Sequence, residues 1–209
     1  MYREDQAMAS KAEVLPGPLT ALTAVIDDLI TLVEQLPDST FQGKSTPVLG
    51  LKSSIGEHVR HCLDHLKALQ RGVVTGRVEY HHRERGGSVE RDSREALDYL
   101  RDARDEFQRL PDGLLDRSVE VSDYVSIDLP PQLFASTLGR EVLYALTHTI
   151  HHQAILRVLA TAAGVGVAEP FGYAAATLVV GTSQRCAVAA GMAITGPDDS
   201  ANVQRTVSP

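Results

Sequence analysis

The sequence predicts an all-α fold: an antiparallel four-helix bundle with long loops and a weakly ordered C-terminal tail. Three observations carry this expectation. Apolar residues recur at three- and four-residue steps in four separate segments. Those segments begin or end on residues that start or stop helices. The stretches between them are rich in Ser, Gly, Pro and charge. The chain has 209 residues, enough for one domain with a real core, and 43% apolar and 22% charged residues are ordinary for a globular protein.

The first helix is expected from about Pro18 to Leu36, where Leu22, Ile26, Leu29, Val33 and Leu36 form one stripe. Pro37 stops it, because proline cannot donate to the helical ladder. A linker then extends to Ser53. The second helix opens on "SSIGE", in which Ser54 and Glu57 have the spacing of a capping box. Ile55, Val59, Cys62, Leu66 and Leu69 continue the stripe, and Gly72 is the expected stop. "RVEYHHRERGGSVERD" is polar and glycine-containing, hence a loop.

Asp92 and Glu95 form a second capping-box pattern, so a third helix is expected from Asp92 or Ser93 through Phe107, ending before Pro111. "RSVEVSDYVSIDL" alternates loosely and predicts a short hairpin closed by Pro130 and Pro131. The fourth helix is expected from Ser136 to Ala163, ending at Gly164. Residues 1–17 read as a flexible N-terminus, 18–180 as the bundle domain and 181–209 as a low-complexity, poorly ordered tail.

The net charge of −7 excludes general nucleic-acid binding and adsorption to anionic membranes. No apolar run spans a bilayer and no signal-peptide pattern opens the chain, so a soluble cytoplasmic protein is expected. Cys62 and Cys186 make no disulfide framework, and Cys62 falls on an apolar stripe, where a thiol is packed and inert. No GxSxG elbow and no GxGxxG or GxxxxGK[ST] loop occurs.

The chemistry concentrates in histidine. The eight histidines fall into three groups: His58, His61 and His65; His81 and His82; His148, His151 and His152. His148 and His152 are four apart on a helix, so both rings share a face and can converge on one ion at ~2.0–2.1 Å. His151 points away and is a partner behind the ligands, a surface residue or a proton carrier. A third ligand should come from the second helix, where periodicity places His58 and His65 beside the apolar stripe and His61 farther around. His81 and His82 sit in a charged loop and read as solvated.

These segments resemble one family. "SSIGEHVRHCLDHLKAL" and "STLGREVLYALTHTIHHQAIL" are similar to the two histidine helices of the DinB-like (DinB/YfiT-type) superfamily. "VEYHHRERGGSVERD" resembles a subfamily pattern that places Tyr80, Arg83, Arg85 and Glu90. "EPFGYAAATL" resembles the closing segment, which more often has Ala-Pro-Ser-Thr where this chain has Ala174 to Thr177. The resemblance covers residues 18–180 and implies a four-helix bundle, often a homodimer.

It further implies one divalent metal ion, with Zn, Ni and Fe as candidates, held by His61, His148 and His152. His61 is selected because the family ligand precedes an aspartate by three positions, here Asp64. Three imidazoles leave a position open for water or substrate. The implied function is a metal-dependent thiol S-transferase or hydrolase acting on a small molecule that the sequence does not name, with a low-molecular-weight thiol as one candidate. A non-catalytic metal-binding or dimerisation module in stress response stands beside it. Tyr80, Arg83 and Arg85 could recognise an anionic substrate, or the arginines could tie the loop to Glu90. No carboxylate accompanies the triad as a base; Glu141 is two turns from His148.

Overall fold

The fold is that of a computed structural model describing residues 17–44, 50, 52–83 and 85–178. Its helices are α1 (Pro18–Glu34), the short α2 (Asp38–Gln42), α3 (Ile55–Thr75), α4 (Ser93–Gln108) and α5 (Leu138–Ala162). Three strands join them: β1 (Arg77–Glu79), β2 (Ser118–Asp123) and β3 (Gln132–Thr137). The described residues divide into one unit ending at Gly172 and another beginning at Tyr173. In the second, a single helical turn is closed by the Thr177 amide donating to the Ala174 carbonyl at 2.9 Å. The N-terminal residues 1–16 and the tail 181–209 lie outside the described residues.

α1 and α3 each pack against both α4 and α5. Side-chain pairs fix the helix directions. Arg104 reaches Asp27 at 3.1 Å and Arg101 reaches Glu34 at 2.7 Å, so α1 and α4 run antiparallel. His61 meets His148 and His58 meets His152, so α3 and α5 do the same. Lys67, however, sits over the Tyr99 ring and Gln70 donates to Glu106, which makes α3 and α4 parallel.

The expectation of an all-α, uniformly antiparallel bundle is therefore corrected. The helices are joined by a mixed three-stranded sheet of order β1-β2-β3, with β1 parallel to β2 and β2 antiparallel to β3. A three-residue strand such as β1 is too short to display a two-residue period, and its sequence "RVE" hides inside a charged run. Pro130 and Pro131 do not close the hairpin; they lie in the connection between β2 and β3, where no ladder N–H is needed. Residues 132–137 are consequently strand, and α5 starts at Leu138 with the Thr137 hydroxyl accepting from the Arg140 amide.

Local signals otherwise work as expected. The Ser54 hydroxyl accepts from the Glu57 amide at 3.1 Å while the Glu57 carboxylate accepts from the Ser54 amide at 2.7 Å, a complete capping box. Gly72 does not end α3, which continues to Thr75 and stops at Gly76 with φ 77°. Gly72 instead makes room for β1, since a Cβ there would lie 2.4 Å from Val78 Cγ2. The linker before α3 contains α2, whose Phe41 is fully buried.

The core consists of the stripes: Leu22, Ile26 and Leu29 of α1, Val59, Cys62 and Leu66 of α3, Leu100 and Phe107 of α4, and Ala145 and Leu156 of α5. Each large aliphatic buried this way is worth about 1.5–3 kcal/mol against exposure. The buried Gln153 joins α5 to α1 by donating to the Val25 carbonyl at 2.9 Å.

Because α3 and α4 are parallel, the chain must return along α3 before α4 can begin. Val78 packs at Gly72, and the carbonyl of Glu90 lies over Gly56. These glycines are sixteen positions apart, so the return covers about 24 Å of helix. A Cβ at Gly56 would sit 2.2 Å from the Glu90 oxygen and 2.8 Å from Phe41. Gly56→Ala is expected to destabilise the fold by about 1–3 kcal/mol through this overpacking, read as a lower denaturation midpoint. An unchanged midpoint would contradict the close approach.

Candidate metal centre

Steps of three and four residues line up His58, His61 and His65 along one side of α3, and His148 and His152 do the same on α5. The antiparallel α3–α5 interface brings the two rows face to face. His61 Nε2 lies 3.0 Å from His148 Nε2, and His58 Nδ1 lies 3.0 Å from His152 Nδ1. The His152 ring is 4.5 Å from that of His61 and 4.7 Å from that of His148, steeply inclined to both. His65 stacks on His148 at 4.1 Å with an interplanar angle of 25°. One ring nitrogen from each of His61, His65 and His148 falls within a 4.8 Å group that could hold a metal ion.

All three expected ligands, His61, His148 and His152, thus share one cluster, joined by His58 and His65. The helical wheel correctly turned His65 inward, and it is almost fully buried. His61 reaches the cluster from the flank. His151 is exposed, its ring 6.5 Å from that of His148.

Burial holds the cluster neutral. Desolvation, then the neighbouring histidines and Arg83, bring His61 down to about 2. Desolvation followed by neighbouring histidines brings His152 to about 3 and His148 to about 4, and His58 and His65 are also lowered, chiefly by desolvation. Neutral imidazole is the form that ligates a metal. Two nitrogens bound to one ion at about 2.1 Å are about 3.0 Å apart at a right angle and about 3.4 Å apart at the tetrahedral angle. The 3.0 Å between His61 and His148 lies in that window, so the residues fit a metal.

Hydrogen bonds outside the cluster orient it. His65 Nδ1 bonds the His61 carbonyl at 3.0 Å, which leaves its Nε2 lone pair free. Ser53 Oγ lies 2.7 Å from His58 Nε2, so Ser53, His58 and His152 form a continuous chain. Ser53 had no sequence signal, since it precedes the helix and meets His58 only once the capping turn has formed.

Tyr80 stacks on His65 at 5.2 Å and donates its hydroxyl to Glu141 at 2.9 Å. Ser136 donates to the other oxygen of Glu141 at 2.6 Å. Desolvation, reinforced by Glu141, pushes the Tyr80 phenol up, so it serves as a donor. Arg60 pairs with Asp64 and lies 3.2 Å from Glu90, which ties the returning segment to α3. Glu90 is therefore held by Arg60, with no ion pair to Arg83 or Arg85. Cys62 is buried and desolvation pushes its thiol up to about 12, the inert thiol expected.

Beside the cluster opens a cavity of about 520 Å³, lined by His58, His61 and His152 and by Lys52, Arg60, Arg83, Arg85, Glu57 and Glu90. At the surface Glu79, His81 and His82 also bring ligand atoms within 4.8 Å. There His81 Nδ1 bonds the Ser122 carbonyl at 3.1 Å, and the exposed His82 lies 3.4 Å from Glu79.

A helical bundle with a histidine cluster between two antiparallel helices, opening on a polar cavity, defines a class of candidate metal-binding proteins. Within it, the sequence profile of the DinB superfamily matches residues 21–156, and the chain belongs to that superfamily. No curated protein and no solved structure matches the chain. No helix among the described residues is long and apolar enough to cross a membrane.

Two outcomes are expected. In metal-free protein the unfolded histidines take up protons near pH 6.5, while His148, His152 and His61 resist to about 4, 3 and 2. Their stabilisation is fully present above about pH 6.5 and is lost as pH falls, so the melting temperature should drop between pH 7 and pH 5. A flat profile would contradict a buried, neutral cluster. Tyr80→Phe leaves Glu141 short of a donor and should cost about 1–3 kcal/mol in urea unfolding; an unperturbed midpoint would argue against that bond.

Proposed function

We propose that the protein is a divalent-metal-dependent enzyme of the thiol S-transferase or hydrolase type, with His61, His148 and His152 as ligands. The observation carrying this reading is the 3.0 Å approach of His61 and His148 nitrogens from two helices at a cavity of about 520 Å³. When bound, a divalent ion lowers the pKa of a coordinated thiol or water and supplies a nucleophile near neutral pH.

His65 also brings a ring nitrogen to His61 and His148, but His152 is favoured as third ligand because it lines the cavity and His65 does not. The His152 ring stands at 75° to His61 and 60° to His148, with centroids 4.5 and 4.7 Å away. His152 also lines the cavity, and its Nδ1 is engaged by His58, which leaves Nε2 to face the cluster.

The carboxylates around the cluster have structural tasks. Glu141 accepts from Tyr80 and Ser136, Asp64 and Glu90 pair with Arg60, and Glu57 caps α3. This favours thiol activation over hydrolysis, because a thiol ionised on a metal needs no separate base to activate water.

Metal content of purified wild type against His148→Ala tests the reading: bound metal near one equivalent is expected in the first and its loss in the second. Negligible metal in both would refute it. His61→Ala should lose metal and His58→Ala retain it. Conjugation assays with added low-molecular-weight thiols then separate an enzyme from a non-catalytic module, which would turn over none.

A further inference from the structure

Resting on the metal-dependent reading, we propose that the cavity binds a small substrate by an oxyanion group, a carboxylate or phosphate. Arg83 and Arg85 hold this group, and the reacting end of the substrate faces the histidines. The cavity of about 520 Å³ suits a small molecule. Its lining carries four cations, Lys52, Arg60, Arg83 and Arg85, against two carboxylates, Glu57 and Glu90. Arg60 is neutralised by Asp64 and Glu90, and Glu57 is committed to the helix cap. Arg83 and Arg85 are exposed, and neither pairs with a described carboxylate.

Both arginines stand midway along a segment pinned at each end, by Tyr80 to Glu141 and by Glu90 to Arg60. Both line the cavity. A guanidinium fork matches carboxylate and phosphate oxygens in pairs. In a chain of net charge −7, such a cationic spot does not follow from basic composition.

The test loads wild type and the Arg83→Gln/Arg85→Gln double variant with Co²⁺ and titrates 3-mercaptopropionate and 2-mercaptoethanol. Thiolate-to-cobalt absorption is the readout. The carboxylated thiol should bind wild type about tenfold more tightly, and the double variant should lose that advantage without weakening 2-mercaptoethanol. Equal affinities in wild type, or an advantage that survives in the variant, overturn the proposal. If neither thiol gives absorption, thiol ligation fails, and the metal-free protein decides the anion subsite separately. Melting shifts with malonate or inorganic phosphate that vanish in the double variant support the subsite and say which oxyanion it prefers; no shift with either overturns it.

Discussion

The parallel alignment of α3 and α4 governs the architecture around the cluster. A chain that leaves α3 at one end and must enter α4 at the other has to travel back the length of a helix. The return is fastened where glycine permits close approach, at Gly72 under Val78 and at Gly56 under Glu90. Between those points it passes the histidine row of α3, so topology alone places Arg83 and Arg85 at the cavity. Arg60 completes the arrangement by bridging Asp64 on its own helix and Glu90 on the returning segment. A buried ion pair of this kind contributes little net stability, yet losing one partner strands the other, which makes it an effective positional pin.

The cluster itself works against folding in the absence of a ligand. Partly and fully buried imidazoles give up hydration, and their close spacing penalises any proton they take on. The surroundings are arranged to tolerate that only in the neutral state: a carbonyl for His65 and Ser53 for His58. Nearby carboxylates that could have neutralised an imidazolium are bound elsewhere, Glu141 to Tyr80 and Ser136 above all. What remains is a set of uncharged ring nitrogens gathered between α3 and α5, the donor chemistry of a cation site.

Legibility in the sequence followed the range of the interactions. Capping at Ser54 and Glu57, the stripes of α1 and α3, the stop at Gly164 and the HxxxH pair depend on neighbours within one or two turns, so they could be read directly. β1 could not be read, because it exists only through pairing with β2, some forty residues away. Gly72 looked like a helix stop because a glycine's local preference is visible and the approach of Val78 is not. The direction of α4 was equally hidden, since amphipathic stripes state which face is buried and not which way a neighbour runs. Phe41 sat unnoticed in a linker for the same reason: its burial is wholly tertiary.

The third histidine shows how local and long-range information combine. Periodicity alone turned His65 and His58 towards the core, and the structure agrees for His65, which is buried and stacked. Inward orientation, however, is not the criterion for ligation. A ligand needs its lone pair to converge with the others, and a position at the flank of α3 can aim across the groove to α5 better than one packed flat against it. His61 has its Nε2 at 3.0 Å from His148 Nε2, and His65, stacked on the same ring and on Tyr80, brings a ring nitrogen into the same 4.8 Å group. The 3.0 Å approach of His61 to His148 comes from the pairing of α3 with α5, a contact that no helical wheel contains.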